Sequence, residues 1–433
     1  MINILGVDID NQLTKEEIFL KINKFLDSDQ AHYIVTPNPE IILKAQKDEE
    51  LFHILNQADL SLADGFGLKL AALMSGKSLN RFTGADFVLD LLRIAQNRNK
   101  KVLIICNQNG LSSSEDISQA LKEKYPQLRF LVQATDFYYQ IDESNKKVAI
   151  RKCFRCNFLN RIVDRVNKKL EFLFSDKVLD FEADILICNF GAPFQEKFIW
   201  HNYKKMPSLR LAIGIGGALD FLTGKIKRAP KWMRFLGLEW LWRLIRQPKR
   251  YNRIFRAVFV FPFKFLKWKF ISPHFYRKNV ACLLYRESKL SYTALENKKR
   301  NPLNNYQILL VERVDEPGHW QLPQGGVDAQ AIKIAGSREL KEELGIDNFT
   351  PKKIFKNVFK YRSNRQGRYG FKGQRQSLLI AEFLGSDTDI KLNPWDHSNW
   401  RWVRASDLVS EVHPLRKAGT SIFLKKFNNY IIK

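Results

Sequence analysis

The chain has 433 residues, enough for two or three domains that each bury a core of their own. With 45% hydrophobic and 12% aromatic residues it is a globular protein, and the formal net charge of +26 directs attention to anionic partners. Five cysteines in this length exclude a disulfide scaffold, and the absence of any uninterrupted apolar run of eighteen residues argues against a membrane-spanning helix.

The opening stretch "MINILGVDIDNQLTKEEIF" has no basic region followed by an apolar core and a small-residue cleavage site, so a cytoplasmic protein with reduced thiols is expected. Over the first 220 residues short apolar runs end in polar or glycine-rich loops: "HYIVTPNPEIILKAQ", "ADLSLADGFGLKLAALM", "KKVLIICNQNG", "ADILICNFGAP" and "LRLAIGIGGALDF". Helical patterns at 84–98 and 113–124 separate several of them. That alternation predicts an α/β domain with a Rossmann-like parallel sheet, and ligands in such sheets lie at the carboxyl ends of the strands. Residues 142–177 are basic and helical in pattern, an elaboration beside the sheet. Within them "CFRC" (Cys153 and Cys156) has the spacing of half a zinc or redox site, but no second pair accompanies it, and it is read as incidental.

Residues 221–280 hold sixteen Lys or Arg against the single acid Glu239, a net +15. In "RIFRAVFVFPFKFLKWKFISPHFYRK" aromatics alternate with bases. That composition suits an anionic membrane surface, a single nucleic-acid strand, or a helix that packs its rings inward, and composition alone does not choose among them. From about residue 278 the pattern changes. "NVACLLYRE", "YQILLVERV", "KKIFKNVFKYR", "QRQSLLIAEFLG" and "NWRWVRAS" read as strands, and "HPLRKAGTSIFLKKFNNYI" as a closing amphipathic helix. The expected domains are 1–250, a joining basic segment 251–277, and a mixed α+β domain 278–433.

In that last domain "WQLPQGGVDAQAIKIAGSRELKEELGI" runs from a glycine pair into a helix. Glu339, Glu342 and Glu343 stand at i, i+3 and i+4, on one face, where they repel one another unless a cation joins them. Oxygen-only ligands suit Mg²⁺ or Mn²⁺. A solvated acidic face with Arg338 as its partner is the plainer reading of the three glutamates taken alone.

The stretch from Gly325 to Ile346, with the core "RELKEELGI", resembles the Nudix box of hydrolases that act on nucleoside diphosphates linked to another group. The resemblance implies Glu339, Glu342 and Glu343 as metal ligands, Glu343 as a catalytic group, Arg338 as the residue orienting the carboxylates, and Gly325 and Gly326 beside the substrate. Two departures stand out: Gln330 occupies about the place of the box's first glutamate, and Gly336 lies inside the helix. "HWQLPQGG", "GQRQ" and "WRWV" are most similar to the branch with diadenosine polyphosphate hydrolases and RNA pyrophosphohydrolases.

"VTPNPEIILKA", "ADLSLADGFGL", "RFTGADFV", "FGAPFQEKFI", "GIGGALDFLTGKIKRAPKWMRFLGLEWLWRL" and "QPKRYNRI" together resemble the WecG/TagA/CpsF glycosyltransferases. The resemblance implies inverting transfer of N-acetylmannosamine or a related sugar from a UDP-sugar donor to N-acetylglucosamine on undecaprenyl diphosphate, with no essential metal. It makes Asp64 the base, with Thr36 and Asn38 beside it. Arg81, Gly84, Asp86, Gln195, Gly216 and Gly217 are implied at the donor, and Arg228, Arg234, Arg243 and Arg246 at the diphosphates and the lipid surface. It favours the membrane over nucleic acid for the basic segment and implies a peripheral protein on the inner face of the cell membrane, with oligomers possible. The expectation is a bifunctional enzyme. The alternatives are a transferase with a non-catalytic Nudix nucleotide sensor, or an RNA pyrophosphohydrolase with a basic RNA-binding arm.

Overall fold

Short runs of β-branched and aliphatic residues, each followed by a helix, produce a parallel sheet. The computed structural model describes residues 1–80, 82, 84–135, 178, 180–230, 232–233, 237–288, 302–363 and 367–432. They fall into two compact units, Met1–Phe265 and Leu266–Lys433. Arg81, Arg234, Cys153, Cys156 and the basic stretch 142–177 lie outside the described residues.

The first unit begins with a small antiparallel pair, β1 (Ile2–Ile4) and β2 (Val7–Ile9). Its main sheet contains β3 (His32–Val35), β4 (Leu60–Ser61), β5 (Lys101–Asn107), β6 (Arg129–Thr135), β7 (Ile185–Asn189) and β8 (Leu211–Gly214), in the order β4-β3-β8-β7-β5-β6, all parallel. Ile34, Val102, Ile104, Ile185, Ile187 and Ile213 pack on helices Lys15–Leu26, Gly84–Asn97 and Ser114–Lys124 through Ile18, Ile22, Val88, Leu91, Ile117 and Leu121. The alternating residues Tyr33, Leu103, Ile105, Leu186 and Cys188 are buried on the other face. Burial on both faces is why these strands read as unbroken apolar runs. The loops after β3, β4, β7 and β8, four adjacent strands, open at one edge.

The stretch Tyr251–Ile271 is a helical run with π turns at Arg256–Val260 and Lys267–Ile271. Phe261 and Phe265 are buried, whereas Phe255, Phe259 and Phe263, four residues apart, are each more than half exposed. Residues 251–265 belong to the first compact unit. No helix among the described residues is long and apolar enough to cross a membrane.

The second unit is a mixed sheet of β9 (Tyr276–Glu287), β10 (Tyr306–Arg313), β11 (Trp320–Gln321), β12 (Gln324–Gly326), β13 (Phe349–Arg362), β14 (Gly373–Phe383) and β15 (His397–Arg404). The order is β11-β10-β9-β14-β13, with β12 on β9 and β15 on β10; β9 and β14 are parallel and the other pairs antiparallel. Helix Pro414–Ile431 covers one face with Phe423 and Phe427, and helix Ile332–Leu344 the other with Ala335, Leu340 and Leu344. Gly336 has a packing reason: a β-carbon there would stand 2.6 Å from Leu379 Cδ2. The glycine's helix penalty, about 1 kcal/mol against alanine, is offset by this close approach of helix to sheet.

Candidate functional site

At the carboxyl ends of β3, β4, β7 and β8 a cavity of about 160 Å³ is lined by Thr36, Asn38, Asp64, Gly84, Gly191, Gln195, Gly216, Gly217 and Arg243 among others. The local sequence shapes its rim. Asn38 caps helix Pro39–Ala45 by accepting from the Ile41 N–H (2.9 Å), and Thr36 Oγ1 donates to the Gly214 carbonyl (3.2 Å). The Asp64 N–H donates to the Pro37 carbonyl (2.9 Å), tying the β4 loop to the β3 loop and leaving the carboxylate half-buried at the cavity wall.

A second cavity, about 310 Å³, adjoins the first and shares Asn38, Glu40, Asp64, Glu239, Arg243, Arg250 and Arg253 with it. Its remaining wall is mostly apolar: Phe66, Leu70, Trp240, Ile254, Val258 and Pro262. Polar and apolar chambers therefore meet at Asp64 under three guanidinium groups. Arg253 donates to Glu40 through Nε and an η nitrogen (2.8 and 2.6 Å), and Arg243 to Glu239 (2.9 Å). Burial and the neighbouring Arg253 and Arg243 push the Arg250 guanidinium below its ordinary pKa. No carboxylate among the described residues is bonded to Arg250. Glu40, Asp64 and Glu239 match the three guanidinium groups in number, but Arg250 is bonded to none of them, and a guanidinium without a bonded carboxylate inside a partly dry pocket can hold an anion.

In the second unit, Glu339 and Glu343 are buried and Glu342 is exposed, so the three glutamates do not share one environment. Arg338 donates to the Gly326 carbonyl (2.8 Å), to Glu339 (2.6 Å), to Glu342 (2.5 Å) and to Gln330 (3.3 Å). Glu343 Oε2 accepts from the Gln324 N–H (3.1 Å) and lies 3.2 Å from His397 Nε2. Burial, then the Glu343 carboxylate, pushes Glu339 up to about 7. Gly325 lets the two approach closely: a β-carbon there would fall 1.9 Å from the Glu339 carboxylate, which would have to move. Two buried carboxylates that oppose each other's charge, cradled by a backbone without a side chain, fit a hard divalent cation.

The profile of the "Glycosyl transferase WecG/TagA/CpsF family" matches residues 2–274. The chain belongs to that glycosyltransferase family. The NUDIX domain profile matches residues 296–425, so a Nudix hydrolase domain, of a family that works with divalent metal, follows the transferase. The N-acetylglucosaminyldiphosphoundecaprenol N-acetyl-beta-D-mannosaminyltransferase of Bacillus subtilis (strain 168) is 28% identical over 242 residues, 54% of this chain and 82% of the relative. The enzyme of that name from Staphylococcus aureus (strain MRSA252) is 28% identical over 271 residues, 62% and 93%. A C. elegans Ap4A hydrolase binary complex is 21% identical, with a TM-score of 0.27, covering 36% of this chain and 98% of that one; a likeness at that score decides nothing further.

In this WecG/TagA/CpsF domain, Asp86, expected at the donor, and Arg228 and Arg246, expected at the diphosphates and the lipid surface, engage neighbours outside the two cavities. Arg228 bonds Asp86 (3.1 Å for one of its contacts), and Arg246 lies over the Trp242 ring (4.9 Å). Neither pair lines the two cavities. Glu40, Glu239 and Arg253 were not among the expected site residues. The sequence did carry one signal for Glu239, the sole acid in a run of sixteen bases.

Gln195 also differs from a simple substrate ligand. It is buried, and its Oε1 accepts from the N–H groups of Gly191 (3.0 Å) and Gly216 (2.9 Å), while Nε2 donates to Glu196 Oε1 (2.8 Å). Burial pushes Glu196 up to about 7 from 4.5. A carboxyl whose folded pKa exceeds its unfolded value contributes stability that is fully present below pH 4.5 and lost as pH rises through about 7. Glu196→Gln, which cannot ionise, is expected to be more stable than wild type at pH 8, by at most about 3 kcal/mol, and to gain nothing at pH 4. Thermal unfolding at the two pH values measures the difference.

Glu316, His319 and His413 also bring possible ligand atoms within 4.8 Å of one another. Their protons are already committed. Arg416 donates to His319 Nε2 (3.2 Å), which places the ring proton on Nδ1, 2.8 Å from Glu316. His413 Nδ1 accepts from the Leu415 N–H (3.3 Å), leaving Nε2–H toward Glu316 at 3.9 Å. Burial lowers the pKa of His319, in keeping with a neutral ring. In the tautomers this network assigns, the lone pairs on His319 Nε2 and His413 Nδ1 already accept hydrogen bonds, which argues against a metal here.

Proposed function

We propose that the first domain transfers N-acetylmannosamine or a related sugar, with inversion, from UDP to an N-acetylglucosamine carried on undecaprenyl diphosphate in the assembly of a cell-surface polymer. The observation that carries this reading is the junction of a glycine-walled polar cavity with an apolar one at Asp64. The polar chamber suits the UDP-sugar, whose diphosphate would pass close to the backbone at Gly84 and Gly217, the N–H groups of Gly191 and Gly216 being taken by Gln195. The apolar chamber suits the lipid-linked acceptor, and Arg243, Arg250 and Arg253 stand where a diphosphate needs countercharge. In the reaction the acceptor hydroxyl attacks the anomeric carbon from the side opposite UDP. The new C–O bond forms as the bond to the UDP oxygen breaks, and Asp64 takes the hydroxyl proton. Displacement in one step inverts the centre, and the arginine charge at the cavity wall stabilises the departing diphosphate. Mass spectrometry of products from UDP-N-acetylmannosamine and a lipid-diphosphate N-acetylglucosamine tests the assignment; an unchanged acceptor would remove it.

The same reading places the protein peripherally on the inner membrane face. Phe255, Phe259 and Phe263 form an exposed aromatic row on the helix that walls the apolar chamber through Ile254 and Val258. Rings inserted at the headgroup level hold independently of salt, unlike the bases around them. Replacing all three by serine is expected to weaken liposome binding in high salt by at least about tenfold, each buried ring being worth about 1.5 kcal/mol or more when fully inserted. Flotation of wild type and variant in 0.5 M salt, on the order of a 4 Å Debye length, measures it.

For the Nudix domain the proposed ligands are Glu339 and Glu343, with Glu342 reached through Arg338, and Mg²⁺ or Mn²⁺ as the cation. Bound there, the ion would neutralise phosphate charge and lower the pKa of a water. Arg338 fixes the Glu339 carboxylate and the Gly326 carbonyl, and the Gln324 N–H holds Glu343. The proposed substrate is a nucleoside diphosphate-linked compound.

A further inference from the structure

We infer that Glu196 is a positioning residue of the transferase: it fixes the Gln195 amide, which in turn holds the Gly191 and Gly216 loops at the spacing the donor diphosphate requires. This rests on the proposal that the glycine-walled cavity receives the UDP moiety.

Several separate observations support it. The loops after β7 and β8 come from strands that pair through Cys188 and Gly214, yet beyond those residues the sheet ladder ends. Gln195 Oε1 bridges the gap, accepting from Gly191 N–H on one loop and Gly216 N–H on the other. An amide can bridge two N–H donors only with its oxygen turned toward them. In the reversed orientation the NH₂ group would face both donors. What selects the orientation is the acceptor on the other side, Glu196 Oε1, 2.8 Å from Gln195 Nε2. Glu196 is 2% exposed, and its Oε2 is buried without a hydrogen-bond partner. A buried carboxyl oxygen with no donor is tolerated far better as a protonated acid than as an anion. The neutral form keeps its carbonyl oxygen, Oε1, for Gln195.

The surroundings agree. The titratable or charged groups that act on Glu196 are Lys44 and Glu40 on helix Pro39–Ala45, and Glu196 in turn raises the pKa of Tyr33 on β3 and Cys188 on β7. Lys44 is held by Glu40 (3.0 Å) and by the Ala192 carbonyl (2.9 Å), so it steadies the Gly191 loop from its other end without bonding Glu196. Ionisation of Glu196 would place a buried negative charge, with no hydrogen-bond donor on Oε2, behind the loops proposed to receive an anionic diphosphate. The device therefore works in its neutral form, and donor affinity falls as that form is lost.

The experiment measures UDP affinity by calorimetry for the full-length protein across pH 6 to 8.5. Glu196→Ala, and Gln195→Ala from the other end of the link, are expected to bind UDP at least tenfold more weakly at pH 6.5. Glu196→Gln, which keeps the acceptor oxygen, is expected to stay within about twofold of wild type at pH 6.5. At pH 8.5 it is expected to bind several-fold more tightly than wild type. Because UDP titrates equally in both titrations, the ratio of the two affinities isolates Glu196. Unchanged affinity in Glu196→Ala, or a ratio of wild type to Glu196→Gln that is constant with pH, overturns the inference while leaving the donor reading intact. Wild-type protein that does not bind UDP overturns both. If Glu196→Ala does not fold, the Glu196→Gln ratio alone decides.

Discussion

Asp64→Asn is expected to lower sugar transfer by about a hundred- to ten-thousandfold at unchanged stability, the range for a proposed general base that loses its proton affinity in place. The amide is isosteric, and the backbone bond from Asp64 N–H to the Pro37 carbonyl does not depend on the side chain, so the β3 and β4 loops stay where they are. The polar cavity and the arginines are equally untouched, so, if that cavity takes the donor as proposed, the Michaelis constant for UDP-sugar should move little. The loss then appears in kcat, the mark of an interaction made in the transition state. Steady-state kinetics of the two proteins with a water-soluble lipid-diphosphate acceptor measure it. Turnover near the wild-type value would remove Asp64 from the chemistry and turn attention to Glu239, the other carboxylate shared by both cavities apart from Glu40.

Glu343→Gln in the second unit is expected to lower the proposed metal-dependent hydrolysis by more than about a hundredfold, because losing even an outer partner of a metal ligand costs about 10–100-fold. Glutamine retains an oxygen that can accept from the Gln324 N–H, so the fold around β12 is kept. What disappears is negative charge beside Glu339, whose raised proton affinity comes from burial and then from Glu343. Metal affinity by calorimetry should fall in parallel with activity on a panel of nucleoside diphosphate-linked compounds. Sugar transfer should remain at the wild-type rate, since the two sites are built within separate compact units. Loss of transfer in a folded variant would mean that the units communicate.

Much of this protein is legible without coordinates, for physical reasons. Apolar runs that must be covered on both faces, and turns that need glycine, recur at spacings that specify a parallel sheet with ligand loops at one edge. The Nudix helix likewise advertises its carboxylates because i and i+4 share a face. Local rules put Glu339 and Glu343 together, and Thr36, Asn38 and Asp64 on neighbouring loops.

Tertiary structure decided what each charge meets. Arg253 lies 213 residues from Glu40, and no periodicity links them; only the folding of helix Tyr251–Phe255 over the site turns a base of the segment expected at the lipid surface into a partner of a carboxylate in the first turn of helix Pro39–Ala45. Arg228 and Asp86, 142 residues apart, engage each other in the same way. Gln195, polar and beside a glycine loop, reads as a ligand, yet burial directs its amide to two backbone donors and the Glu196 carboxyl. Glu342 shares a helix with Glu339 and Glu343 but is exposed, because i+3 leans away from the sheet edge where the other two are buried. The sequence by itself determined which chemical groups are present and on which elements they ride. Burial and long-range pairing, which depend on surfaces brought together from distant parts of the chain, decided which groups remain open to a substrate and which are occupied in shaping the site.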